Sequence, residues 1–398
     1  MKPSRLPSTV IVLGLVSFFT DFSSEMIYPL LPVFLSTVLG AGAIALGVIE
    51  GVAEATASVL KIVSGYWTDK VGRRKPFILA GYGLASLVRP LIGLANIWPV
   101  VLGLRFADRV GKGLRTSPRD SLIADVVEPA RRGEAYGFHR AMDHAGAVVG
   151  PVAAALLMSS LGVPIRTVFL LSAIPAVVVI AILLFGLKEK PYAARSVVED
   201  KVKDHKSHTN FASDYKLYLI SVGIFTLGNS TDAFLLLRMT DAGISAVSIS
   251  LLWAAHHVIK MTSTYFGGRW SDELGYKPMI VIGWIIYAVI YLGFGIVGDK
   301  TLLIVLFLAY GLYFGLTEPA EKALVSRFAG VQSRGRAFGW FHGVIGIGAL
   351  PASILFGILY KTFGAMVAFG LGAVLAIIAA TMLSLLNLKT NNEPQTTL

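Results

Sequence analysis

Residues 65–83 read "GYWTDKVGRRKPFILAGYG", and residues 268–284 read "GRWSDELGYKPMIVIGW". Gly65, Asp69, Gly72 and Pro76 of the first stretch match Gly268, Asp272, Gly275 and Pro278 of the second, with one residue deleted. Each is a short polar turn between two long apolar runs, so the match predicts a chain made of two copies of one unit. Two further echoes keep the same order. "SPRDSLIADVVEPARRGEAYGFH" (117–139) pairs with "EPAEKALVSRFAGVQSRGRAFGWFH" (318–342), and "SSE" (23–25) pairs more faintly with "STD" (230–232).

Outward from these turns the chain is apolar throughout. Of its 398 residues 55% are hydrophobic and 15% charged, and the mean hydropathy is +0.70, which excludes an ordinary soluble domain. Apolar runs of about 20 residues, the length that crosses a bilayer core, recur twelve times: 9–38, 43–66, 77–95, 98–126, 135–160, 166–187, 216–239, 246–267, 279–297, 301–326, 336–359 and 364–388. The polar segment "KEKPYAARSVVEDKVKDHKSHTNFASD" (188–214) divides them six and six. The expected organisation is an N-terminal six-helix bundle (1–187), a cytoplasmic linker (188–215) and a C-terminal six-helix bundle (216–398). The expected fold is an all-α membrane protein of twelve transmembrane helices in two pseudo-symmetric bundles, a duplication that places a binding site between them near the midplane.

The first run follows Lys2 and Arg5 but is too long for a signal peptide, contains Asp21 and Glu25, and lacks a small-residue cleavage site, so it reads as a retained helix. Loop lysines and arginines crowd one side; the exceptions are Arg166, Arg238, Lys300 and Lys361. By the positive-inside rule both termini are cytoplasmic, in the inner (cytoplasmic) membrane. The net charge of +11 is then a consequence of topology and no sign of nucleic-acid binding. Without cysteine there is no disulfide or thiol chemistry.

"GYWTDKVGRRK" resembles the loop motif of the major facilitator superfamily at Gly65, Asp69, Lys70, Gly72, Arg73 and Arg74. The helix count, the central linker and the second copy of the motif extend the resemblance over the whole chain. It implies that Gly65, Asp69, Gly72 and Arg73 lock the cytoplasmic side when the site opens outward, in a carrier that works as a monomer. Independently, Gly65 permits close helix approach, Gly72 a tight turn, and Asp69 suits both an ion pair with Arg73 and a neighbouring helix N-terminus. Asp272 lacks the paired arginines of the first copy, which puts the same role in question for it.

The most charged intramembrane stretch is "LRFADRVGKGLRTSPRD" (104–120). On a helix, Arg105, Asp108, Arg109, Lys112, Arg115 and Arg119 fall within about 120° of one another. A charge facing lipid at mid-bilayer costs about 2.5 to 3.5 kcal/mol, so the stripe must face protein or a water-filled cavity. It either binds an anionic substrate or neutralises acids on neighbouring helices; arginines near its cytoplasmic end could also snorkel. "GKG" is no phosphate loop, because residue 106 is Phe and Gly113 follows Lys112. With no nucleotide motif and no implied cofactor, energy must come from an ion or substrate gradient.

Asp21 and Glu25 lie one turn apart on helix 1, and Glu50, Glu54 and Lys61 share a stripe on helix 2. A buried carboxylate beside an arginine is pulled both ways in its proton affinity. Glu25, Asp21, Glu54 and Asp232 are therefore the candidate proton carriers, with structural pairing as the alternative. "EMIYPLLP" (25–32) resembles the first helix of drug/proton antiporters, which implies coupling through Glu25; Arg105, after "LGL", resembles their helix 4 arginine. "GAVVGPVAAA" resembles their helix 5 signature at Gly146, Gly150 and Pro151, where small residues permit tight packing and proline a kink.

Candidate substrate contacts are Tyr28, Arg105, Arg109, Lys112, Arg115, Trp253, His257 and Tyr313; the repeat sets Asp232 and His257 opposite Glu25 and Glu54. "HRAMDH" (139–144) lacks a third metal ligand at helical spacing, so a salt-linked helix face is expected there and no metal. No enzyme motif (His-Glu-x-x-His, Gly-x-Ser-x-Gly, cysteine nucleophile) is present, and no channel filter. The resulting expectation is a secondary transporter in the lipid bilayer, proton-coupled, for a small organic anion, zwitterion or metal chelator, with export implied by the antiporter resemblance. Its rivals are a multidrug/proton antiporter for lipophilic cations and a transporter-like receptor that binds without flux.

Overall fold

Where the apolar runs carry no proline or polar interruption they fold as single helices, and the interruptions mark the breaks. The computed structural model describes residues 6–31, 34–41, 43–187, 213–229, 232–244, 246–330 and 333–386. In chain order the helices are α1 (Ser8–Glu25), α2 (Ala43–Val71), α3 (Lys75–Leu91), α4 (Trp98–Val126), α5 (Arg132–Leu161), α6 (Ile165–Leu171), α7 (Ala173–Gly186), α8 (Ser213–Gly228), α9 (Ala233–Asp241), α10 (Ala246–Leu274), α11 (Tyr276–Ile296), α12 (Lys300–Phe328), α13 (Arg334–Phe363) and α14 (Ala365–Leu385). No strand occurs among the described residues. Most of the expected linker, residues 188–212, lies outside them.

Eight crossings are long and apolar enough to span a bilayer by composition: α1 with the turn after it, α3, α5, the α6–α7 pair, α11, α12, α13 and α14. The other four crossings, α2, α4, α10 and the α8–α9 pair, complete the twelve. They fall short for two reasons, charge or polarity in mid-helix and shortness. α2 and α4 carry charge in mid-helix, α10 carries His256, His257 and Lys260, and α8 ends at Gly228 after 16 residues.

The first run was expected to be continuous over 9–38, but α1 ends at Glu25 and a 3-10 turn follows at Tyr28–Leu30. Pro29 is the cause: it has no N–H to give the Glu25 carbonyl, and its ring crowds that oxygen. The seventh run is split between α8 and α9, where the Tyr287 hydroxyl donates to the Gly228 carbonyl at 3.0 Å. Pro151 sits inside an unbroken α5.

Within the first half α1 packs on α5 and α7, and α4 on α2 and α3; within the second α10 packs on α12, α11 on α12 and α14, and α8 on α14 and α13. The halves meet chiefly through two crossings, α5 on α10 and α2 on α13. Glycine makes both possible. A Cβ on Gly65 would lie 2.8 Å from the Gly335 carbonyl carbon and 3.2 Å from Gly339 Cα; one on Gly268 would lie 2.9 Å from Gly137 Cα. Gly65 and Gly268 are the repeated glycines of the two quoted turns, so the duplication appears in space as a twofold-like pair of crossings near one face. That face carries the loop lysines and arginines and is called the basic face.

Candidate functional site

At the basic face each half clasps a helix N-terminus of the other. The Asp69 carboxylate accepts from the backbone N–H of Gly335 (2.9 Å) and Arg336 (2.7 Å), at the start of α13. Asp272 accepts from Gly133 (2.8 Å) and Glu134 (2.7 Å), at the start of α5. These N–H groups have no partner within their own helices, and the helix dipole favours a negative charge beside them. Two arginines cross reciprocally: Arg132 donates to the Ser326 carbonyl (3.2 Å), and Arg334 pairs with Asp125 (2.6 Å).

Two expectations change here. Asp69 pairs with Arg74 at 2.8 Å, not with Arg73, which is exposed. Gly72, at φ +69°, turns the chain so that the second arginine faces back toward α2. Asp272 needs no arginine, because the α5 N-terminus and the Tyr276 hydroxyl (2.9 Å) supply its donors. It lies beyond the apolar part of α10, and burial pushes its carboxyl up to about 6 against the pull of those backbone donors.

Beyond the clasps, between the halves, lies a cavity of about 350 Å³. Its first-half wall comprises Asp21 on α1, Lys61 on α2, Lys112, Arg115 and Arg119 on α4, and Arg140 and Asp143 on α5. The second-half wall comprises Phe225 on α8, Tyr313, Phe314, Glu318, Glu321 and Lys322 on α12, and Phe341 and His342 on α13.

Many of these charges are already matched. Arg140 bridges Asp143 and Glu318 at 3.0 Å each, and Ser17 donates to Asp143. Asp120, fully buried, takes Arg119 (2.9 Å) from its own half and Lys322 (3.2 Å) and His342 (2.7 Å) from the other. Lys61, Lys112 and Arg115 are the cavity cations without an ion pair among the described residues, and all three are on the first-half wall. Arg115 is only 5% exposed, and its Nε and Nη1 have no hydrogen-bond partner among the described residues. Its guanidinium lies 4.1 Å from the Tyr82 ring centre.

The α4 stripe therefore divides into three. Its outer part is bound around one acid: Asp108 pairs with Arg89 of α3 at 2.7 Å and with Arg105 at 3.5 Å. The middle, Lys112 and Arg115, opens to the cavity, and the inner end, Arg119 with Asp120, ties to the second half.

The other predicted residues spread around the cavity. Asp21 and Tyr313 line it. Glu25 sits one turn further from the basic face than Asp21; its neighbouring cations are Lys112, Arg89, Arg109 and Arg105. Glu54 is exposed and faces Lys112, Lys61, Arg109 and Arg105. Tyr28 is exposed, with Arg105 5.4 Å from its ring. Gly150 brings α5 against α1, a Cβ there lying 2.9 Å from that of Glu25, and Gly146 makes the same approach at Phe18. Of the eight expected substrate contacts only Lys112, Arg115 and Tyr313 line the cavity; Tyr28, Arg105, Arg109, Trp253 and His257 do not, nor do the expected proton carriers Glu25, Glu54 and Asp232. Asp232 holds the Tyr310 hydroxyl (3.0 Å) and Lys260 (3.4 Å), and the His257 ring packs on Trp253 (5.1 Å) and His144 (5.7 Å).

Sequence reading missed Asp120, Arg89, Lys61 and His342 as site residues. One signal was available: the echo of 117–139 in 318–342 sets Pro118 and Asp120 against Pro319 and Glu321.

The model of the Major Facilitator Superfamily matches residues 13–237 and again 217–397. An uncharacterized MFS-type transporter of Methanocaldococcus jannaschii is 33% identical over 385 residues, covering 95% of each chain. The multidrug resistance protein MdtH of Salmonella newport is 23% identical over 81% of this chain and 79% of its own. Among solved structures the human organic anion transporter MFSD10 superposes with a TM-score of 0.78 at 14% identity, covering 94% of this chain and 99% of that one.

Proposed function

The chain belongs to the major facilitator superfamily, and from that membership we propose a proton-coupled carrier that moves a small organic anion or zwitterion by alternating access. The bundles 1–187 and 216–398 are the rocking bodies, joined by 188–215. The basic face is cytoplasmic, in the inner membrane with both termini inside, and the clasped arrangement is the outward-facing state of a monomer.

The observation that carries the substrate reading is the buried Arg115, whose Nε and Nη1 have no acceptor among the described residues, on a cavity wall with Lys61 and Lys112. Buried guanidinium groups left without acceptors are costly. An anion entering the cavity supplies them, and binding energy spent there favours occlusion. MdtH is named a multidrug resistance protein, but a lipophilic cation would meet three unpaired positive charges on this wall. Asp21 and Glu25, on the same side, are the proton carriers, close enough to the cations for substrate and proton to sense each other. The antiporter-like signature supports export.

The test is flux in proteoliposomes under an imposed pH gradient, with panels of organic anions, zwitterions and lipophilic cations. Gradient-driven movement of anions or zwitterions is expected, with Glu25→Gln keeping exchange but losing response to the gradient. Movement of cations alone overturns the substrate class. Full gradient response in Glu25→Gln overturns the coupling residue, and binding without flux makes the protein a receptor.

A further inference from the structure

Asp120 and Glu321 occupy equivalent places in the repeat, two residues after Pro118 and Pro319 on α4 and α12. Their surroundings differ in one respect. Asp120 is held by three basic side chains, whereas Glu321 has no ion pair among the described residues and one hydrogen bond, from the indole N–H of buried Trp284 at 3.3 Å. The residue before Asp120 is its own cation, Arg119; the residue before Glu321 is Ala320. His342, which binds Asp120, has its echo in His139, whose ring nitrogens have no hydrogen-bond partner. Glu321 thus keeps the place of the acid without the basic partners that hold Asp120.

The place a cation would occupy beside Glu321 borders the cavity and aromatic rings. Phe225 stacks on Trp284 with centroids 4.8 Å apart, Tyr313 is 5.7 Å from Phe225, and Phe225, Tyr313 and Glu321 all line the cavity. A carboxylate and aromatic rings lining the same cavity wall suit an ammonium or guanidinium group. The other cavity acids are less suited. Glu318 and Asp143 are taken by Arg140, and Asp21 is on the wall that holds the unpaired cations.

We propose that Glu321, with Phe225 and Tyr313, is a cation subsite facing Arg115 across the cavity, and that the substrate is a zwitterion carrying an acid group and an ammonium or guanidinium group. The inference rests on the reading of this cavity as an anion-accepting transport site and adds the second pole. Glu321 sets specificity: it decides whether the cationic group is required.

Matched series test it: ω-amino acids, the corresponding monocarboxylates and the corresponding alkylamines, of two to six carbons. Binding is measured by titration calorimetry on the full chain in detergent micelles. Wild type is expected to prefer the ω-amino acid over the monocarboxylate by at least about tenfold at the best chain length. Glu321→Gln should erase that preference while leaving monocarboxylate affinity the same or tighter, Glu321→Asp should retain part of it, and Arg115→Ala should weaken both acids. A merely structural role for Glu321 would lower affinity for both acids together. An unchanged preference in Glu321→Gln, a wild type that favours the monocarboxylate, or no binding of any member at millimolar concentration each overturns the inference. If amines bind best and Arg115→Ala changes nothing, it is the anion reading that fails.

Discussion

The two walls of the cavity descend from one repeated unit and have become opposite in kind. Among the described residues, the first-half wall has Lys61, Lys112 and Arg115 without ion pairs; the second has Phe225, Tyr313, Phe314 and Phe341, with Glu321 as its charge without an ion pair. Behind the second wall Tyr287, Tyr291 and Tyr310 extend the aromatic cluster, with Tyr287 and Tyr291 4.0 Å apart. Duplication preserved what both halves must do alike, namely cross at glycine and clasp a partner helix. It released what they need not share, the chemistry of the surfaces turned toward the ligand.

The largest effect expected from breaking this contrast is at Arg115. Arg115→Ala should weaken binding of an organic anion by about 100-fold, the loss of roughly 2 to 3 kcal/mol of charge-assisted hydrogen bonding. Phe225→Ala on the facing wall should cost a plain monocarboxylate no more than about fivefold. Calorimetric titration of the two variants decides, and equal losses would erase the distinction between the walls.

The clasps sharpen the other side of the comparison, the part that stayed symmetric. Asp69→Ala or Asp272→Ala removes the acceptor of two backbone N–H groups, which costs about 1 to 3 kcal/mol for each buried donor left unsatisfied. Either should raise the population open at the basic face by about tenfold or more. The chain has no cysteine, so engineered cysteine pairs across α2–α13 and α5–α10 report opening without background. A response from Asp69→Ala alone would show that the second clasp is decorative.

A smaller effect is expected from pH. In the clasped state burial raises Asp272 to about 6, whereas an open state that returns it to water restores an ordinary carboxylate affinity near 4. Above pH 6 the ionised group is at a disadvantage in the clasped state, and this disadvantage fades as pH falls from 6 toward 4. The open fraction should therefore decrease modestly between pH 7 and 5, and Asp272→Asn should abolish the response. Least of all should Trp253→Leu matter, changing affinity by less than about twofold, since Trp253 packs on His257 apart from the cavity wall.

Much of the fold was legible because lipid imposes length and composition directly. Apolar runs, turn glycines and the repeat are local signals; Pro29, which the expected run 9–38 passes through, is where the structure instead ends α1. The site was legible in kind and less so in residue. The α4 stripe pointed inward as its cost in lipid demands, but its division into acid-paired, open and bundle-linking parts depends on Arg89, Lys322 and His342, brought from three other helices. Arg73 and Arg74 are indistinguishable in a motif, and the turn at Gly72 selects the second as the partner of Asp69.

By itself the sequence determined the twelve crossings, the duplication, and the requirement that a run of charge on α4 be shielded from lipid, because each follows from the chemistry of contiguous residues in a bilayer. Only the tertiary structure decided which charges cancel and which are left open. Ion pairing depends on distances of a few ångströms between helices far apart in sequence, and the same Arg or Glu is a strut or a binding group according to whether its partner lies within that reach.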